Sequence, residues 1–268
     1  MKKMIFVSIL LAAAILGLLY VIWENTHFRT VKYEYGDPDV PKEMDGLRIL
    51  QLSDLHGQSY GRDNCRLLAA IRDCDSDVIM VTGDLIDSTF TNTEKALDFA
   101  EELVKLAPVY YCTGNHEHRL EEKELKAFLA ELSARGVQVL SDEAVPFYGG
   151  VLAGLQERSS RQADALEKVL AEQDPKAFTL LLAHKPHFYD NYLQADLVLS
   201  GHAHGGQIRL PWIGGLIAPG QGWFPEYTRG FYHKEDTAML ISGGIGNSHR
   251  VPRVFNPPEL VLLTLRSQ

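Results

Sequence analysis

The polarity pattern along the chain changes character three times. From Met4 to Trp23 the run MIFVSILLAAAILGLLYVIW carries no charged residue over 20 positions. A helix of about that length crosses the hydrocarbon core of a bilayer. Lys2 and Lys3 precede the run, and Tyr20 and Trp23 stand at its far end, where interfacial aromatics belong. Residues 1–3 read as a basic leader and 4–23 as a transmembrane signal anchor. Residues 24–46 turn polar, with Gly36, Pro38 and Pro41, and read as a linker with a possible first strand at Thr30 to Tyr35. A single domain is expected over 47–268.

From Leu47 onward, short apolar runs alternate with helix-length patterns. LRILQLS, DVIMVTG and PVYYCTG read as strands, with helices expected over Arg62–Asp73, Thr93–Leu106 and Glu121–Arg135. GGVLAGL and AFTLLLAH bracket a further helix over Ser159–Ala171, and DLVLSGH follows. This rhythm indicates βαβ units and an α/β fold class. Beyond residue 205 the style changes to short strands, GQIRLP, TAMLISGG and ELVLLTL, separated by glycine and proline.

Composition narrows the possibilities. At 268 residues, 46% hydrophobic and 23% charged, the chain can bury a substantial core. Its net charge of −9 argues against a nucleic-acid partner, which requires a basic face. Three cysteines, Cys65, Cys74 and Cys112, form neither a disulfide framework nor a Cys-x-x-Cys zinc motif. Their scarcity suits an exported domain. A cleavable signal peptide competes with the anchor, but the apolar run continues past the small residues Ala12 to Ala14. The leading lysines place the N-terminus inside and the domain on the extracytoplasmic side of the cell membrane; Arg29 and Lys32 beyond the span weaken that assignment.

The candidate chemistry collects where expected strands end. LQLSDLHG brings Asp54 and His56, and VTGDLID brings Asp84 and Asp87. YCTGNHEH brings Asn115, His116, Glu117 and His118. LLAHKPH brings His184 and His187, and VLSGHAHGG brings His202 and His204. Ligands of open α/β sheets sit beyond the carboxyl ends of the strands. Each block alone is also compatible with capping or turn chemistry. Five blocks on one edge make a constellation.

These blocks, Asp54-x-His56, Gly83-Asp84-x-x-Asp87, Gly114-Asn115-His116-Glu117, the lone His184 and Gly201-His202-x-His204, resemble the calcineurin-like metallophosphoesterase family, in its membrane-anchored bacterial phosphodiesterase-type branch. The resemblance implies a four-layer α/β sandwich around two mixed sheets, over about residues 47–265. It implies two divalent metal ions, one held by Asp54, His56, Asp84 and His204, the other by Asp84, Asn115, His184 and His202. A water activated by the metal pair is the implied nucleophile. Mixed nitrogen and oxygen donors without thiolate suit Mn, Fe or Zn. His116 is implied beside the leaving-group oxygen, as general acid or charge stabiliser, with Asp87 orienting His116 or a ligand. Glu117 reads as structural.

The protein Ser/Thr phosphatases of that family carry an arginine just after Gly-Asp-x-x-Asp and another just before Gly-Asn-His-Glu. Ser88 and Thr113 stand there in this chain. Arginine is the residue suited to bidentate phosphate recognition. A phosphodiester or pyrophosphate substrate is therefore expected, with a phosphomonoesterase as the alternative and a non-catalytic scaffold as a further one. His118, Arg119, His249 and Arg250 receive no role. The segment Pro211 to Tyr227 carries Trp212, Ile213, Leu216, Ile217, Trp223 and Phe224 with few charges. It reads either as a hairpin packed on the core or as an apolar lip facing acyl chains. Together with the anchor, the lip reading points to a membrane-proximal or lipid-linked phosphate substrate.

Overall fold

The computed structural model describes residues 2–89, 92–157, 162–247 and 251–268. The chain opens with α1 (Lys2–Thr26), β1 (Arg29–Asp37), β2 (Arg48–Leu52), α2 (Cys65–Asp73), β3 (Val78–Thr82), α3 (Thr93–Val104) and β4 (Val109–Cys112). It continues through α4 (Glu122–Ala134), β5 (Gln138–Val139), β6 (Glu143–Phe147), β7 (Gly150–Gly154), α5 (Gln162–Leu170), β8 (Thr179–Leu182) and β9 (Leu197–Ser200). Two small hairpins, β10 (Arg209–Leu210) with β11 (Gly214–Gly215) and β12 (Ile217–Ala218) with β13 (Gly222–Trp223), precede β14 (Gly230–Lys234), β15 (Thr237–Ile241) and β16 (Glu259–Ser267).

Two mixed six-stranded sheets result, ordered β1-β16-β2-β3-β4-β5 and β14-β15-β9-β8-β7-β6. Strand alternation explains how they stack. Along β3, Val78 and Met80 face the core between the two sheets, whereas Ile79 and Val81 face α2, α3 and α4. The second sheet repeats the arrangement. Leu180 and Leu182 point inward to the inter-sheet core, and Leu181 packs under α5 with Ala165 and Leu166. The central strands of each sheet, such as β3, β8 and β9, are thus buried on both faces, which is why they read as unbroken apolar runs. The architecture is the expected four-layer α/β sandwich. Gln51 stitches the sheets together inside it, donating to Thr82 Oγ1 (3.1 Å) and to the Ser200 carbonyl (2.8 Å).

Some local expectations shift. The strand read at 30–35 runs from Arg29 to Asp37 and pairs in parallel with β16 over its whole length. Helix α2 starts at Cys65 rather than Arg62, after a short 3-10 turn. Asn64 causes the delay: its Oδ1 accepts from the Tyr60 N–H (2.9 Å), and Asp63 and Asn64 take left-handed backbone angles. Strand β6, to which the sequence reading assigns no element, contains Pro146; as an edge strand it tolerates a residue without an N–H. The helix read at 159–171 is α5, and residues 158–161 lie outside the described residues. The same holds for His249 and Arg250. Helix α1 is exposed from Lys2 to Tyr20 and is long and apolar enough to cross a membrane.

Candidate metal centre

Strands β2, β3 and β4 run parallel in one sheet, and β8 and β9 run parallel in the other. The loops leaving their carboxyl ends meet at one edge of the sandwich. That edge carries all seven residues expected as ligands. The loops are tied to each other through the backbone: Asp54 N–H donates to Gly83 O (3.1 Å), His56 N–H to Asp84 O (3.0 Å) and Gly201 N–H to His184 O (3.0 Å).

Two donor groups face one another. Asp54, His56 and His204 form the first, with His56 Nε2 3.2 Å from His204 Nε2 and Asp54 Oδ1 3.8 and 3.7 Å from those two nitrogens. Asp84, His184 and His202 form the second. There His184 Nε2 lies 3.2 Å from Asp84 Oδ2, from His202 Nδ1 and from Asn115 Oδ1. Asp84 Oδ2 also stands 3.7 Å from His56 Nε2, so one carboxylate oxygen faces both groups.

The site is strained and built around two buried carboxylates, Asp54 and Asp84. Asp54, His56, Asp84, His202 and His204 all hold positive φ, between 47° and 67°. Such residues cost on the order of 1–3 kcal/mol each and persist where surrounding structure imposes them. Part of that imposition is Glu117, a fully buried carboxylate that accepts from the N–H groups of Asp84 (3.0 Å), Leu85 (2.8 Å) and Gly114 (2.8 Å). This is the structural role expected for it. Gly201 passes so close that an added Cβ would fall 1.8 Å from Ser53 Oγ and 2.5 Å from Asp54 Oδ2. Burial alone would raise the carboxyls of Asp54 and Asp84; the surrounding imidazoles overcome it and hold both below the usual range. Burial likewise opposes a charge on His184, yet Asp84 wins and carries its imidazole up to about 10. His202 is driven down by burial and stays neutral. Two buried carboxylates and several imidazole nitrogens converging at hydrogen-bond distance call for a cation. Nitrogen and oxygen donors without thiolate fit divalent transition ions.

A cleft of about 330 Å³ opens over this centre, lined by Asp84, Asn115, His116, His202 and His204, and by Arg119, Lys185 and His187. A larger hollow of about 840 Å³ lies against α5 and β8, away from both donor groups. His116 Nδ1 accepts from the Ser88 N–H (3.1 Å). Burial pushes this imidazole down to about 4, with His56 and Arg119 adding to the effect against Asp84 and Asp87. Asp87 Oδ2 stands 3.8 Å from His116 Nδ1 and 3.9 Å from His56 Nδ1. The hydrogen bond on His116 Nδ1 therefore comes from Ser88, at a position where the phosphoprotein phosphatases have arginine. Thr113, at the other such position, is engaged by His118 Nε2 (2.8 Å) and by the Glu157 N–H (3.0 Å).

Sequence reasoning missed several residues of this site. Lys185 directly follows an expected ligand at a strand end, which was a usable signal; it pairs with Glu157 at 2.5 Å. Arg119 now has a place, with Nη1 3.2 Å from His116 Nε2. Arg253 and Asn256, both fully buried, lean on the His204 loop from a distant part of the chain, and nothing local marks them. The segment after His204 divides its loyalties. Trp212, Ile213, Trp223 and Phe224 are 102%, 58%, 69% and 69% exposed, while Pro219 and Gly220 of the same segment line the cleft.

The family model for calcineurin-like phosphoesterases matches residues 47–206, which contain every donor described above. The chain belongs to that family. Members use divalent metals to cleave phosphoesters, and the donor groups of this chain are placed to hold such ions. Among similar proteins is an uncharacterized metallophosphoesterase of Aquifex aeolicus, 28% identical and covering 98% of this chain and 99% of its own length. The Bacillus subtilis metallophosphoesterase YkuE is 28% identical over 85% of this chain and 82% of its own. A zebrafish (Danio rerio) transmembrane protein with a metallophosphoesterase domain is 28% identical over 89% of this chain and 57% of its own. The crystal structure of TT1561 from Thermus thermophilus shares the fold, with a TM-score of 0.51 at 13% identity over 74% of this chain and 90% of that one.

Proposed function

We propose that this phosphoesterase hydrolyses a phosphodiester or pyrophosphate bond in a membrane-proximal or lipid-linked substrate, using two divalent ions drawn from Mn, Fe and Zn. The observation that carries the two-ion reading is Asp84, whose Oδ2 faces His184 at 3.2 Å and His56 at 3.7 Å. A carboxylate so placed would offset the repulsion between two neighbouring cations. On this reading Asp54, His56, Asp84 and His204 hold one ion, and Asp84, Asn115, His184 and His202 the other. When bound, the ions polarise the phosphoryl oxygens and lower the pKa of water.

The chain's own side chains do the rest. His116 lines the cleft beside the donor groups and serves the leaving oxygen as general acid or charge stabiliser. Arg119 and Lys185 bring positive charge to the cleft wall, where the substrate's phosphoryl oxygens gather negative charge. Asp87, whose Oδ2 stands 3.9 Å from His56 Nδ1, orients that ligand from behind. Ser88 and Thr113, each already engaged, leave no arginine pair to grip a monoester, which supports the diester preference.

The membrane part rests on α1, which anchors the protein with its domain on the extracytoplasmic side, and on the exposed aromatic edge of the segment that also lines the cleft. The deciding experiment is a substrate panel on the full chain in detergent with Mn²⁺: bis(p-nitrophenyl) phosphate, p-nitrophenyl phosphate, phospholipids and nucleotide-activated acyl sugars. Diester and lipid turnover should exceed monoester turnover, and Trp212→Ser with Trp223→Ser should lower only lipid turnover. Faster monoester cleavage, or equal losses on soluble and lipid substrates, refutes the corresponding part.

A further inference from the structure

Helix α1 ends in a buried carboxylate. Glu24 is 1% exposed, although every residue of the helix from Lys2 to Tyr20 is exposed. Its Oε2 accepts from the Phe255 N–H (2.9 Å), and its Oε1 accepts from the Asn256 N–H (2.8 Å) and from the Tyr20 hydroxyl (3.2 Å). Asn25 grips the same segment at both backbone atoms of Arg253: Oδ1 accepts from its N–H (2.9 Å) and Nδ2 donates to its carbonyl (2.9 Å). The Asn25 carbonyl also accepts from Gln58, two residues past His56 (3.3 Å).

The segment held in this way holds the site. Asn256 Nδ2 donates to the carbonyls of His204 (2.7 Å) and Gln207 (3.2 Å). The Arg253 guanidinium donates to Gly243 O (2.7 Å) and Gly246 O (2.6 Å) and lies 3.2 Å from His204 Nδ1. The loop it fastens reaches Asp54 in turn, since Gly246 N–H donates to Asp54 O (2.7 Å) and Ile245 N–H to Ser53 O (2.9 Å). Two of the three members of the first donor group, Asp54 and His204, thus hang from residues that the end of α1 positions.

We infer that Glu24 and Asn25 are positioning residues for the first metal site, acting through Arg253 and Asn256 on His204 and Asp54, so that the end of the apolar helix is a working part of the centre. This rests on the two-ion reading above. It also implies that the helix is retained. A signal peptidase cut at or beyond Asn25 would remove both side chains and leave the buried N–H of Asn256 without its acceptor, a costly state.

The test is a Mn²⁺ titration of the metal-stripped full chain in detergent micelles, followed by calorimetry, with a thermal melt alongside. Wild type, Glu24→Ala, Glu24→Gln and the control Leu16→Ala, in the exposed part of α1, are compared. Wild type and Leu16→Ala should show two binding events. Glu24→Ala should weaken one of them by ~10–100-fold, the usual effect of losing an outer-shell partner, and leave the other within ~3-fold. Glu24→Gln retains one strong acceptor and should fall between. Two unchanged events in Glu24→Ala overturn this inference alone, as does loss of both events together with the cooperative melt. A mature N-terminus beyond Asn25 on sequencing overturns it as well. No Mn²⁺ binding by wild type overturns the two-ion reading and this inference with it.

Discussion

Gly114→Ala tests the donor geometry with the smallest possible change. Gly114 holds ordinary backbone angles, so alanine adds one methyl group and no left-handed penalty. That methyl would lie 2.2 Å from Asp84 Oδ1 and 2.5 Å from the Asp84 nitrogen. Ordinary contact begins near 3.4 Å, so the carboxylate or the loop beneath it must retreat by a little over 1 Å. Asp84 is the carboxylate between the two donor groups, and it is pinned by Glu117 through its own N–H. A misplacement of 1 Å at a reacting centre costs roughly 100-fold in rate. That factor corresponds to about 2.7 kcal/mol of barrier. The assay is kcat on bis(p-nitrophenyl) phosphate at saturating Mn²⁺, with Gly17→Ala as control, because a Cβ at Gly17 meets nothing within 4 Å. Overpacking should also lower stability by about 1–3 kcal/mol, which a melt reads separately. If Gly114→Ala folds and turns over the diester within ~3-fold of wild type, Asp84 does not need its present position and the reasoning fails.

Other outcomes follow from the same geometry. Asp84→Asn removes the charge shared by both donor groups, so metal content and activity should disappear together; turnover in a metal-free Asp84→Asn protein contradicts the assignment. His116→Ala should lower kcat by ~100–10,000-fold, as for loss of a general acid, with metal content near normal by elemental analysis. A parallel loss of metal would instead make His116 a ligand. Adding Mn²⁺ at ~100 times its Kd to the chelated protein should stabilise it by about 2.7 kcal/mol per site. That corresponds to a Tm rise of roughly 5–10 °C for a domain of this size, and a flat Tm would speak against preformed sites.

The convergence of the site residues on one edge was legible in the sequence because their information is local. Asp54, His56, Asp84, Asn115, His184, His202 and His204 each follow an apolar run that the sheet buries on both faces, and glycines mark the turns. The layer order also followed, since strands covered on both sides cannot display an alternating pattern. What could not be read is the support between distant parts of the chain. Glu24 directly follows the apolar run, yet its partners Phe255 and Asn256 lie 231 and 232 residues away. Arg253 and Asn256 sit among Gly and Pro residues with no periodicity to show which way they face. Strand β6 contains Pro146, which argues against a strand unless its place at the edge is known.

The pairing of β1 with β16 has a consequence for how the protein is made. Strand β16 is not an edge: it lies between β1 and β2, and Arg29 ends up beside Glu259, 230 residues away. At ~5–20 residues per second, the ribosome takes roughly 10–50 s to cover that interval. Throughout it, β1 and the outer side of β2 are unpaired strands seeking a partner, beside a helix apolar enough to have entered a bilayer already. Nascent chains are therefore open to mispairing until β16 emerges. A premature stop before Glu259 would leave β1 without its partner and β2 as a bare edge of the first sheet.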